Sequence, residues 1–152
     1  MERRHRHSRL VIGIGNPLRG DDGIGALLAD QVGGRSVQQL TPELAAELAE
    51  LETVLFIDAW LAPAGATPQL TQISPAAGAA AGAAGSHRLE PAQLLAISQV
   101  LYGRTPEGQL LRVPAYAFEH GTTLSPGLQA ALPAAQALLH QWLARPRPQH
   151  HA

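Results

Sequence analysis

Carboxylates and imidazoles are the side chains in this 152-residue sequence best suited to chemistry near neutral pH. The chain has four aspartates, Asp21, Asp22, Asp30 and Asp58, and seven histidines. What is missing narrows the choice further. There is no Cys, which excludes thiolate nucleophiles, disulfides, iron–sulfur clusters and Cys-ligated zinc. All eleven basic residues are Arg, so Schiff-base lysines and the phosphate-loop lysine are excluded too. None of the six Ser residues stands in a Gly-x-Ser-x-Gly elbow. Acids, imidazoles and metal ions are what is left.

Asp22 and Asp58 are singled out by position. Asp21 and Asp22 follow the break Gly15-Asn16-Pro17 after an apolar run, and Asp58 ends the run Thr53–Ile57. An acid at a helix start is an ordinary cap, stabilised by the helix dipole, but one suffices and the second is left for another task. A lone acid at the end of an apolar strand needs a partner or a ligand. His87 and His120 are single loop histidines, readable as solvated or as functional. His5, His7, His150 and His151 fall in the ends Met1–Ser8 and Arg145–Ala152, which read as disordered tails. Gly13-Ile14-Gly15 opens like a dinucleotide fingerprint. Its third glycine is due at position 18, where Leu18 stands, and two acids at a helix start repel a pyrophosphate.

These residues must be positioned by strands and helices in alternation. Leu10–Ile14 reads as a buried strand. A helix follows, capped by Asp21, with Ile24, Leu27, Leu28 and Val32 on one face and Gly33-Gly34 at its end. Val37–Leu40 is a weak strand. Thr41 and Pro42 then start a helix whose stripe is Leu44, Leu48 and Leu51. Thr53–Ile57, apolar at nearly every position, reads as an interior parallel strand covered on both faces, and Leu70–Ile73 as a further strand. Pro75–Gly85 (PAAGAAAGAAG) lacks bulk and reads as a mobile loop. Pro91 opens a helix carrying Leu94, Leu95, Ile97 and Leu101, closed by Gly103. Leu110–Val113 is a strand, and Ser125-Pro126 starts a last helix with Leu128, Leu132, Ala135, Leu139 and Trp142 inward.

The order implies a single α/β domain over residues 9–144. The expected architecture is a three-layer sandwich, a largely parallel, twisted open sheet with helices on both faces. In such sheets ligands bind beyond the carboxyl ends of the strands, so Asp22 and Asp58 converge if their strands are neighbours. The formal net charge of −1 gives no electrostatic footprint for nucleic acid. No apolar run reaches the roughly 18 residues of a membrane span. A cytoplasmic monomer is expected.

The run Gly13-x-Gly15-Asn16-x-Leu18-x-x-Asp21-Asp22-Gly23-x-Gly25 resembles the N-terminal signature of the hydrogenase maturation endopeptidases. The resemblance continues through Ile57-Asp58-Ala59, through Ser86-His87 before the helix ending Leu101-Tyr102-Gly103, and through Leu124-Ser125-Pro126. It implies a compact α/β enzyme that removes the C-terminal extension of a [NiFe]-hydrogenase large-subunit precursor once nickel is in place. By motif, the catalytic and metal-binding trio it implies is Asp22, Asp58 and His87. The expected cofactor is nickel carried by the substrate, or else a divalent ion such as zinc held by the enzyme. Two carboxylates and an imidazole suit such borderline ions. Where the family often has an Asp-Gly-Gly-Thr-like segment this chain reads Gln38-Gln39-Leu40-Thr41. A metal-sensing adaptor that binds the precursor without cleaving it is the non-enzymatic alternative. A peptidyl-tRNA hydrolase is another, on the Gly13–Pro17 opening, although that family's early catalytic histidine is missing.

Overall fold

Strand and helix periodicity in this chain produce two apolar surfaces on one sheet, and the helices cover both. The computed structural model describes residues 8–76 and 88–146. Its elements, in chain order, are β1 (Arg9–Ile14), a 3-10 turn (Gly20–Gly23), α1 (Ile24–Gln31), β2 (Arg35–Val37), α2 (Leu44–Leu48), β3 (Thr53–Leu61), β4 (Gln69–Ile73), α3 (Pro91–Tyr102), β5 (Glu107–Ala115) and α4 (Pro126–Ala144). The strand order among the described residues is β2-β1-β3-β5-β4. The first four of these run parallel, and β4 pairs antiparallel with β5.

β3 is central, and its sequence explains why. Val54, Leu55, Phe56 and Ile57 are fully buried, and alternation sends them to opposite faces. Leu55 and Ile57 join Ile24 and Leu28 of α1 and Leu128, Leu139 and Trp142 of α4. Val54 and Phe56 join Leu48 of α2 and Leu94 and Leu95 of α3. Each such side chain contributes about 1.5–3 kcal/mol on burial. Truncating Phe56 to Ala would cost about 3–5 kcal/mol. The result is the expected three-layer α/β architecture.

Several details differ from the expectation. α1 buries Gly25 and Ala29 beside Ile24 and Leu28, so its inward face is centred on that side and Leu27 is turned out, 39% exposed. Leu101 lies in the last turn of α3 beyond Ser98, the last buried residue of that helix, and is 64% exposed. Thr41 does not cap α2. Leu44 and Ala45 donate to the carbonyls of Thr41 and Pro42 in turn geometry, so the helix proper begins at Leu44. β2 spans Arg35–Val37, sharing only Val37 with the expected strand, and Leu40 is buried after the strand has ended. Ser8 donates to the Glu50 carbonyl, and the Arg145 carbonyl accepts from Arg9, so both are tied to the domain. Residues 1–7 and 147–152 of the expected tails, residues 77–85 of the glycine–alanine stretch, and His87 lie outside the described residues.

Candidate active site

The glycines of the opening motif bring helix and sheet into backbone contact. A Cβ at Gly13 would lie 2.0 Å from the Gly25 carbonyl oxygen, and one at Gly25 would lie 2.5 Å from that of Ile57. α1 therefore rests directly on β1 and β3. Gly15 holds a positive φ of 136°, and a Cβ there would meet the Asp22 carbonyl oxygen at 1.9 Å. The Gly-x-Gly spacing serves this packing and folds the loop after β1 back over the strand ends.

Asp21 and Asp22, adjacent in sequence, take different roles. Asp21 was expected to cap the helix; it does not. Its side chain is fully buried and bridges the loop after β1 to the segment between β5 and α4. Oδ2 accepts from the amides of Tyr116 (2.7 Å) and Ala117 (3.0 Å) and from the Ser125 hydroxyl (2.6 Å), while Oδ1 accepts from the Ser125 amide (2.7 Å). Burial alone would raise its pKa. The hydrogen bonds from Ser125, Tyr116 and Ala117 outweigh that and hold it below the ordinary carboxylate value. Ser125 in turn accepts from the Leu128 amide and caps α4.

Asp22 is half-buried, and its Oδ2 accepts from the Asn16 amide at 2.8 Å. Asp58 lies across from it on β3. The strand was expected to stop at this residue, but it continues to Leu61 alongside β5. What stops is β1, whose last partner is Gly13 against Ile57. Asp58 is thus the first residue of β3 beyond its pairing with β1. Its Oδ1 accepts from the Ala59 amide at 2.9 Å, and its Oδ2 lies 3.4 Å from Arg88 Nη2. Burial raises the Asp58 pKa to about 6. Arg88 and the Ala59 amide pull it down, and the charges of Asp22 and Glu90 push it up. The charge of Asp22 therefore reaches Asp58 at the carboxyl end of adjacent strands.

His87 lies outside the described residues, but Arg88, the next residue in the chain, reaches Asp58. Arg88 leads into α3 through a capping box in which Glu90 and Gln93 exchange hydrogen bonds with each other's backbone. His120 is exposed, in a segment fastened to the first loop by Gly20 to Gly121 and Gly121 to Leu18 backbone bonds. Among the described residues no group of three or more His, Cys, Asp or Glu is placed to hold a metal ion. Arg88 and the Asp21–Ser125 link are not among the features that the sequence pattern singles out. Arg88 carries a hint in its place beside His87. For Asp21 the only signal was that two adjacent acids have no need to cap one helix together.

No protein-family model matches the chain, and no curated protein matches it. Solved structures do. The hydrogenase maturating endopeptidase HybD from E. coli superposes with a TM-score of 0.66 at 20% identity, covering 89% of this chain and 91% of that one. The [NiFe] hydrogenase maturation protease HybD from Thermococcus kodakarensis gives 0.66 at 21% identity, covering 90% and 99%. The hydrogenase 2 maturation peptidase from a Thaumarchaeota archaeon gives 0.61 at 22% identity, covering 90% and 97%. The chain has the fold of the hydrogenase maturation endopeptidases. Among its described residues no helix is long and apolar enough to cross a membrane.

Proposed function

We propose that this protein is an endopeptidase that removes the C-terminal extension of a nickel-loaded [NiFe]-hydrogenase large-subunit precursor, acting as a cytoplasmic monomer. The observation that carries the reading is the pair Asp22 and Asp58, on neighbouring strand ends of a maturation-endopeptidase fold. Each accepts from a backbone amide through one oxygen, which fixes it, and the second oxygen of Asp58 faces the Arg88 guanidinium, the position a metal cation would take over. Asp58 is held where its anion is disfavoured by burial and by Asp22, so an arriving cation relieves both costs. With His87 as the third donor, two carboxylates and one imidazole suit nickel or zinc.

In this reading Asp22, Asp58 and His87 engage the nickel that the precursor already carries, which makes cleavage wait for metal insertion. A divalent ion such as zinc held by the enzyme would supply polarisation of the scissile carbonyl. Arg88 shares an oxygen of Asp58 with any bound cation and must yield as the precursor docks. A carboxyl group with a pKa near 6 is also suited to carry a proton during hydrolysis. Mass spectrometry of a nickel-loaded precursor, before and after incubation with the protein, tests the proposal. Loss of the C-terminal extension is expected. A stoichiometric complex with an uncut precursor would make the protein an adaptor instead.

A further inference from the structure

The pairing of β3 with β5 outruns its pairing with β1 by four residues. β1 pairs with β3 as far as Gly13 against Ile57, whereas β5 follows β3 to Leu61 against Ala115. Successive residues of a parallel strand direct their N–H and C=O groups to opposite sides. The Ala62 amide donates to the Ala115 carbonyl at 3.1 Å, so Ala62, Trp60 and Asp58 face β5. Ala59 and Leu61 must therefore face the side that β1 has vacated. The Ala59 amide behaves accordingly and turns to the Asp58 carboxylate for its acceptor. Among the described residues no strand pairs with this side of Asp58–Leu61. Leu61 is 68% exposed.

An open strand edge is a template for an extended chain. Here it lies in the same four residues as Asp58, so a strand paired to it runs its backbone past the site carboxylate. The geometry points to docking by strand addition: the extended segment of the precursor that contains the cleaved bond pairs with the Ala59 carbonyl and the Leu61 amide along the open edge of β3. This rests on the endopeptidase reading and specifies how that substrate is held. Backbone pairing fixes the depth at which the chain enters while tolerating varied side chains, and only alternate side chains face the enzyme.

Leu61→Pro removes the edge N–H without touching the β5 ladder, and proline is accepted at strand edges. With nickel-loaded precursor, this variant is expected to lose at least tenfold in kcat/KM, mainly through KM, at a near-native melting temperature. A folded Leu61→Pro protein that processes at the native rate overturns the proposal. Amide hydrogen exchange at Leu61 in the unaltered protein decides the matter even if that variant does not fold. Precursor should slow the exchange at least tenfold, and unchanged exchange overturns strand addition. Protection that rises with protein concentration alone would assign the edge to a second copy of this chain, which also overturns it. If Leu61 is protected by precursor that is never cut, the edge site stands and the endopeptidase reading falls.

Discussion

Asp21 and Ser125 are 104 residues apart in sequence, and Ser125 gives both its amide and its hydroxyl proton to the Asp21 carboxylate. That link ties the loop after β1 to the start of α4 and leaves Asp22, one residue on, in reach of Asp58. Asp21→Ala would strand the buried amides of Tyr116, Ala117 and Ser125. The expected loss is about 3–5 kcal/mol of stability, since each donor left unsatisfied costs about 1–3 kcal/mol. Urea denaturation measures it, and a loss below about 1 kcal/mol would show that the link is not holding the loops together.

Asp58 gives stability an unusual pH dependence. Its pKa is about 6 folded, against 3.8 for an unperturbed aspartate, so between those values the native state binds more protons than the unfolded chain. Stability from this group is therefore fully present below about pH 4 and declines as pH rises towards 6. Asp21 has the opposite sign: its folded pKa is lowered, so its contribution is present above 3.8 and is lost as pH falls below that value. Asp58→Asn should remove the first slope. At pH 7 the variant is expected to be more stable than the native protein by about 1–3 kcal/mol, with the gap closing near pH 4. Melting curves across pH 4–7 check this, and a gap that widens on acidification would contradict it.

For the reaction, Asp22→Ala, Asp58→Ala and His87→Ala should each cut precursor processing at least 100-fold while the protein stays folded. His120→Ala should stay within about threefold. Nickel-dependent processing should also fall below about pH 6, because a ligating histidine must be neutral. Full activity in a folded His87→Ala protein would remove that residue from the site.

How much of this could be read beforehand depended on where the deciding contacts lie. Thr53–Ile57 announced a central parallel strand because an interior position needs apolar side chains on both faces, and the pairing of β1 with β3 then made Asp22 and Asp58 converge. Asp21 was misread as a cap because its partners, Tyr116, Ala117 and Ser125, are about a hundred residues away, and local pattern carries no trace of them. Leu27 was misread for a related reason. Apolar periodicity assigned the face from large side chains, while the true face is centred on Gly25, which packs through having no side chain at all. The extension of β3 past Asp58 was hidden too, since Ala59, Trp60 and Leu61 are half-buried or exposed and look like the start of a loop.

Gly25→Ala sets two effects of opposite sign against each other. In a helix interior Ala is favoured over Gly by about 1 kcal/mol, so propensity alone calls for stabilisation. The added Cβ would lie 2.5 Å from the Ile57 carbonyl oxygen, 2.6 Å from that of Ile14 and 2.8 Å from the Ile14 amide nitrogen. All three are backbone atoms of paired strands and cannot swing aside as a side-chain tip would. α1 must lift away from β1 and β3, at an overpacking cost of about 1–3 kcal/mol or somewhat more. The clash wins over propensity, and a net destabilisation of about 1–2 kcal/mol is expected. Because Asp22 enters α1 only three residues before Gly25, the same displacement draws it away from Asp58. Processing should therefore fall at least tenfold at temperatures where the variant is still fully folded. A Gly25→Ala protein that is more stable than the parent and equally active would show that helix and sheet are not in the contact described.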